Sequence, residues 1–268
     1  KRRTIMSATI FYDNANTYQA TINVEDGTAH IGDKSFTNAG TLTNEERAID
    51  QDLSTAITSW GNLDALRFDL GSALTVDYVA IYSTATITTN IRMLRSSEAT
   101  GAANSSTNIE VDSLTPGWNL IALSSGDFRY RIIFADGGTL VGITQIYFGA
   151  KFALPIQPTA NVITTHKFGT EEVKAHGTNR YYIDKHSNFK TFTLSLDRMT
   201  AAQKTELETF ANTVTDRVPF IYCEDGTVIT VNNFTGPLHY VKLARPLKFK
   251  TVLPDIYSCQ IVMKELTS

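Results

Sequence analysis

The chain has 268 residues, 42% hydrophobic and 19% charged, with a formal net charge of −3. That hydrophobic share over this length fills one large core or two ordinary ones, which excludes a disordered chain. The charge offers no basic field for nucleic acid or an acidic membrane surface, and no apolar run reaches bilayer-spanning length.

The N-terminal stretch KRRTIMSATIFYD is basic but lacks an apolar core of signal-peptide length. The sequence starts at Lys1 without an initiator Met, which leaves upstream residues open. The absence of a signal sets the expectation of a protein made and kept in the cytosol, where the sequons at Asn104 and Asn233 mean little. YQATINVEDGTAHIG holds two short alternating runs around Glu25-Asp26-Gly27, a hairpin signal because Asp and Gly tolerate positive φ. ALRFDL, VDYVAIYST, TNIRMLRSS, WNLIALSS, FRYRIIFAD and ITQIYFGAKF follow as strands, punctuated by Gly, Ser, Asn and Asp. Many short strands at this spacing predict a β-sandwich or jelly roll. SSEATGAANSSTN is small and polar and reads as an exposed loop.

GAKFALPIQPTANV carries Pro155 and Pro158 and interrupts the strand rhythm, which places a domain boundary near residue 152. Beyond it, FKTFTLSLD alternates with Phe192, Leu194 and Leu196 on one face. TAAQKTELETFANTV is the one convincing helix, over about residues 200–215. Thr200 is its N-cap, Gln203 completes a capping box, and Leu207, Phe210, Ala211 and Val214 form its apolar stripe. VPFIYCEDGTVITVN then reads as strand, Asp-Gly turn and strand, and LHYVKLARPLKFKTV and DIYSCQIVMKEL as two long closing strands. In the last, Tyr257, Cys259, Ile261 and Met263 share a face. Cys223 and Cys259, the only two cysteines, read as buried thiols; a disulfide-dense scaffold is excluded.

Convergent catalytic groups are hard to find. His166, His176 and His186 recur every ten residues, a spacing that suits neither a helical face nor zinc; they read as solvated loop histidines, and His30 and His239 stand apart. DGGTLVG has the glycines of a phosphate loop, but the strand ITQIYFG follows it where such a loop needs a helix. Asp50 and Asp52, beside Glu45 and Glu46, form the densest acidic cluster; they lack the ordered spacing of a calcium loop and read as a solvated acidic loop, with calcium the alternative. No Ser or Cys sits in a nucleophile-elbow pattern. The expectation is a non-enzyme without cofactor.

The run ITSWGNLDALRFDLGSALTVDYVAIYS resembles the signature of discoidin-like, galactose-binding-like jelly rolls: an acidic loop (Asp50, Asp52), a Trp (Trp60), a strand ending Phe68-Asp69-Leu70-Gly71, then a Val-rich strand from Val76 to Tyr82. FRYRIIFADGGTLVGITQIYFG is similar to the family's closing strands, so the likeness spans about Asn14 to Gly149. It implies a core role for Trp60, and a sugar site, if present, on loops at one end, with Tyr12, Tyr18 and Arg95 as exposed candidates. From Arg180 to Leu266 the order of elements, with Thr200, Leu207, Phe210, Pro219 and Phe220, resembles the β-domains of minor tail or tail-tip proteins of tailed bacteriophages.

Together these give an expectation of a mainly β chain: a jelly-roll β-sandwich over 1–152, then a β-domain with one packed α-helix over 153–268. The resemblances imply a non-enzymatic phage-tail component near the distal end, carried in the virion and assembled in the host cytoplasm. Its expected partners are other tail proteins, further copies of itself and host cell-surface glycans, without nucleic acid or membrane insertion. The alternative is a carbohydrate-binding module of a bacterial surface or secreted protein. RPLKFK spaces Lys and Pro as a guard on a strand edge.

Overall fold

The computed structural model describes residues 8–13, 21–26, 44–50, 52–58, 60–61, 64–96, 109–111, 113–123, 127–136, 138–156, 158, 163–174, 181–224 and 238–266. The architecture is mainly β, with one α-helix among the described residues. Packing divides the chain into two compact units, one centred on Phe11–Lys151, the other on Phe152–Gly226 and Pro237–Thr267 with Lys1–Ile10.

The first unit is a sandwich. Its strands are β1 (Thr9–Tyr12), β2 (Thr21–Asp26), β3 (Asp64–Thr75), β4 (Tyr78–Ser83), β5 (Asn90–Ser96), β6 (Ile109–Val111), β7 (Gly117–Ala122), β8 (Asp127–Asp136) and β9 (Ile143–Ala153). One sheet has the order β2-β3-β8-β5-β6, and β1-β9-β4-β7 run side by side in the other. Leu66 and Phe68 of β3, Val79 and Ile81 of β4, Ile133 and Ala135 of β8, and Ile146 and Phe148 of β9 meet between them in one buried cluster. The Phe68 and Phe148 rings meet edge to face at 5.1 Å across the sheets. Alternation along each strand is what sends these residues inward together. The described partner of β2 is β3, from Thr21↔Asp69 to Asp26↔Asp64; the rest of the expected hairpin after Asp26 lies outside the described residues.

Gly149 marks a close approach between two backbones in this unit. A Cβ there would sit 2.2 Å from the Tyr12 carbonyl oxygen and 2.9 Å from its carbon. Relief requires moving β1, because a backbone carbonyl cannot rotate aside. Gly149→Ala is expected to cost about 1–3 kcal/mol, measured as a lower urea midpoint; an unchanged midpoint would show that β1 shifts freely.

In the second unit, β10 (Ile163–Lys174), β11 (Tyr181–Thr200), β15 (Ile256–Glu265), β13 (Leu238–Leu243) and β12 (Phe220–Cys223) form the path of one sheet, and β14 (Phe249–Leu253) pairs with β15 off that path. Two expectations are corrected here. Strand β10 occupies 163–174, where no strand was read, its Thr-, His- and Glu-rich sequence hiding it. His166 and His186 accordingly lie on β10 and β11 rather than in a loop, and His176 lies outside the described residues. LHYVKLARPLKFKTV is not one strand: it breaks at Ala244–Lys248 into β13 and β14, around Pro246, which has no N–H for a ladder.

The helix α1 (Ala201–Val214) starts as its sequence dictates. Gln203 N–H donates to Thr200 Oγ1 at 3.3 Å, and Thr200 N–H donates to Gln203 Oε1 at 2.9 Å. Leu207, Phe210 and Val214 are buried, and the Phe210 ring stacks on Phe152 at 4.6 Å and meets Phe220 edge-on at 5.6 Å.

Candidate functional site

The end of the sandwich where β4 and β8 finish and β9 begins is built from three tied loops. The segment 52–60 runs beside the start of β9: Ile57 N–H donates to Ile143 O at 2.9 Å, and Leu140 N–H donates to Trp60 O at 3.0 Å. The β4–β5 loop joins them through Thr84 N–H to Gly142 O at 2.8 Å and Thr89 Oγ1 to Thr139 O at 3.2 Å. Gly142 takes φ 88, and a Cβ there would meet Thr84 Oγ1 at 2.6 Å, so a Gly is needed both for the turn and for the approach. These bonds hold the loops as one rigid rim.

On that rim the acidic segment is folded on itself. Asp50 accepts from Asp52 N–H at 2.8 Å and from Thr55 Oγ1 at 2.9 Å; Asp52 accepts from the N–H of Ser54 at 2.8 Å and its hydroxyl at 2.6 Å. The Ser54 hydroxyl and then its N–H hold the Asp52 carboxyl below the usual carboxylate range. Glu45–Ala48 is a short 3₁₀ helix, entered through Asn44 at φ 60, whose side chain donates to Thr58 Oγ1 at 2.8 Å. Arg47 donates to Ala56 O at 2.9 Å, closing the loop from the other side. Among the described residues no group of three or more His, Cys, Asp or Glu is placed to hold a metal ion. The acidic segment presents exposed Asp50, Asp52 and Ser54 with half-buried Thr55, and the loop bonded to its continuation at Ile57 and Trp60 carries Val141, an apolar side chain 66% exposed.

Trp60 takes the core place expected of it: it is 2% exposed, and its Nε1–H donates to Asp64 O at 2.8 Å. The exposed candidates do not gather on the rim. Tyr12 is half-buried on β1, next to Gly149, towards the opposite end of the sandwich. Burial first, then the nearby Asp77 carboxylate, pushes its phenol upward. Arg95 pairs with Arg131 near the end of β5, also away from the rim, and Tyr18 lies outside the described residues. The Asp-Leu-Gly motif proves structural: Asp69 accepts both Nε and Nη2 of Arg129 at 2.7 Å and Gly71 N–H at 2.9 Å. Arg129 and Arg67 flank the Tyr130 ring at 5.1 and 5.3 Å. Val141, the one exposed large hydrophobic among the described residues of this unit, carried no signal that sequence could offer, because a single Val in a Gly-rich loop is unremarkable.

Sequence reasoning also passed over His239. It is 9% exposed in the second unit, with Nδ1 2.9 Å from Glu265 Oε1 and Nε2 3.8 Å from Glu224 Oε1. Lys190 N–H donates to the other Glu265 oxygen at 3.0 Å, and the His239 ring lies against Phe192 at 4.6 Å. The cluster clamps β11, β12, β13 and β15 to one another. Beside it, burial, then the Glu224 and Cys223 charges, push the Tyr222 phenol strongly upward. The folded state therefore favours neutral Tyr222. Stability from this group is complete below the unfolded value of about 10 and falls as pH rises above it. Unfolding midpoints between about pH 9 and 11 should drop, and Tyr222→Phe should flatten the drop; an equal drop in both proteins would assign it to other groups.

No protein-family model matches the sequence, and no curated protein matches it. Solved structures similar to it include the CBM32 of AlyQ in complex with 4,5-unsaturated mannuronic acid, at 23% identity over 38% of this chain and 83% of that one, TM-score 0.33. A chitosan-binding module from a chitosanase/glucanase of Paenibacillus sp. IK-5 is 17% identical over 51% of this chain and 98% of that one, TM-score 0.36. The lectin domain of lectinolysin complexed with Lewis B antigen is 14% identical over 52% of this chain and 98% of that one, TM-score 0.37. Identities this low and TM-scores this small leave function to the chain's own geometry.

Proposed function

We propose that this chain is a non-catalytic binding protein whose first unit contacts glycans through the rim of Asp50, Asp52, Ser54, Thr55 and Val141. One observation carries the reading: an isopropyl group 66% exposed stands on a loop hydrogen-bonded to the segment that continues from the self-bonded carboxylates and hydroxyls. A sugar offers the complementary pattern, O–H donors around a ring whose C–H face is apolar, and rigid polar groups beside an apolar one are how small-ligand sites fix orientation. The bound species is then a neutral or cationic saccharide, because the rim is acidic. A glycan array probed with the intact chain tests this. The expected result is retained binding to a defined glycan set and its loss in Val141→Asp with an unchanged melting curve; equal binding by Val141→Asp would remove the rim from the reading.

A second reading, a structural component of a phage tail, is favoured by one feature of the second unit. Val252 and Leu253 stand 51% and 63% exposed on a strand paired on one side, a surface suited to assembly. Under it the glycan rim would serve host attachment. Copurification of the chain with virions would select this reading, and its recovery with a bacterial surface fraction the module reading.

A further inference from the structure

We propose that the tip of the β14–β15 hairpin of one chain seats in the groove beside α1 of a second copy, so that chains associate head to tail. The inference concerns the second unit alone and stands whether or not the first unit binds glycans. β14 pairs with β15 from Phe249↔Cys259 to Leu253↔Ile256, and every residue from Lys250 to Asp255 is exposed. Asp255 takes φ 58 after Pro254, a turn conformation that Asp tolerates, so the tip is tight and preformed. Two of the three exposed large hydrophobics among the described residues, Val252 and Leu253, lie side by side on it. Preformed apolar tips lose little entropy on docking.

The groove has a volume of about 530 Å³ and runs between the second half of α1 and the β13–β14 connection. Ala211, Leu243, Leu247 and Phe249 give it an apolar lining, Glu208 and Asp216 stand on the helix side, and Arg245 stands on the strand side. The tip carries the matching charges in the matching order: Lys250 precedes Val252-Leu253 and Asp255 follows them. Seating the tip sets Lys250 against the carboxylates and Asp255 against the guanidinium. Complementarity of both signs names a second copy of this chain as the occupant and fixes the direction of docking. The tip cannot reach its own groove. Phe249, which lines it, begins β14, and four residues of extended chain carry the tip about 13 Å away. Tip and groove are therefore different patches, and the contact is heterologous, closing into a ring or growing into a filament.

The test uses the full chain in sedimentation velocity and light scattering up to about 100 µM, a range that detects micromolar association. Wild type is expected to form species larger than a dimer. Leu253→Asp at the tip should weaken association about 30-fold, as loss of an interface anchor does. Ala211→Trp in the groove, or Asp216→Lys should the first variant melt early, should do the same. The decisive measurement mixes the two. A tip-deficient and a groove-deficient chain still share one intact contact, so the mixture should give a one-to-one dimer that neither gives alone. Monomeric wild type over the whole range overturns the proposal. So does a mixture that stays monomeric while both variants are folded, and so does a groove variant that still associates by itself, as pairing of two β14 edges, tip to tip, would make it do.

Discussion

Trp60→Ala is expected to lower stability by about 3–5 kcal/mol, the range for removing a buried aromatic ring. Trp60 is 2% exposed and belongs to the cluster that includes Ile57, Leu66, Leu140 and Phe148. Its indole N–H is bound to the Asp64 carbonyl at 2.8 Å, so truncation opens a cavity and also deprives a buried acceptor of its donor. Trp60→Phe should recover part of the packing and none of the hydrogen bond, giving a smaller loss. In a Trp118→Phe background, needed because Trp118 is also buried, Trp60 emission should be blue-shifted, poorly quenched by acrylamide and unmoved by any soluble sugar. A Trp60→Ala protein within about 1 kcal/mol of wild type that no longer binds glycans would make Trp60 a ligand platform and overturn the core assignment.

Phe210→Ala is expected to cost about 3–5 kcal/mol in the second unit. Phe210 is 2% exposed and its ring is held between Phe152, parallel at 4.6 Å, and Phe220, perpendicular at 5.6 Å. Truncation removes both ring contacts together, while the capping box at Thr200 and the Lys204–Glu208 pair at 3.2 Å remain to start the helix. Far-ultraviolet circular dichroism at low temperature should therefore stay close to wild type while the urea midpoint falls. A loss below about 1 kcal/mol would mean that the stripe does not hold the helix to the sheet.

Much of this fold was legible where one local rule acted alone. Thr200 and Gln203 are three apart because the capping geometry needs them so, and the stripe from Leu207 to Val214 needed only a period of 3.6. Phe192, Leu194 and Leu196 alternated, and all three are buried. The same strand shows where the rule fails. Between Leu196↔Cys259 and Met199↔Tyr257 the register slips, Arg198 takes φ 62, and Met199 returns to the buried side that alternation denies it. Nothing in Asp197-Arg198 announces a bulge. Strand β10 was missed because its polar composition looks like a loop until β11 is placed beside it. The rim was half legible. Asp50 and Asp52 drew attention by charge, and their turning back onto Ser54 and Thr55 is local, but the tying of Ile57 to Ile143, Trp60 to Leu140 and Thr84 to Gly142 joins partners distant in the sequence.

The neighbourhood of β1 and β9 sets the tempo at which the first unit can form. Tyr147 Oη reaches the Phe11 carbonyl at 3.4 Å across 136 residues of chain. A loop of that length must close before this contact returns any energy. Sandwiches dominated by such distant pairings fold in milliseconds to seconds, far slower than helical bundles. During synthesis the consequence is a wait: Phe11 emerges early, and although Tyr78 offers its ring a partner sooner, its carbonyl cannot meet the Tyr147 hydroxyl until that residue has left the ribosome, about ten seconds later at ordinary elongation rates. For that interval the apolar sequence around Ile10 and Phe11 has no native strand to pair with in β9, which makes the nascent chain a ready client for a chaperone.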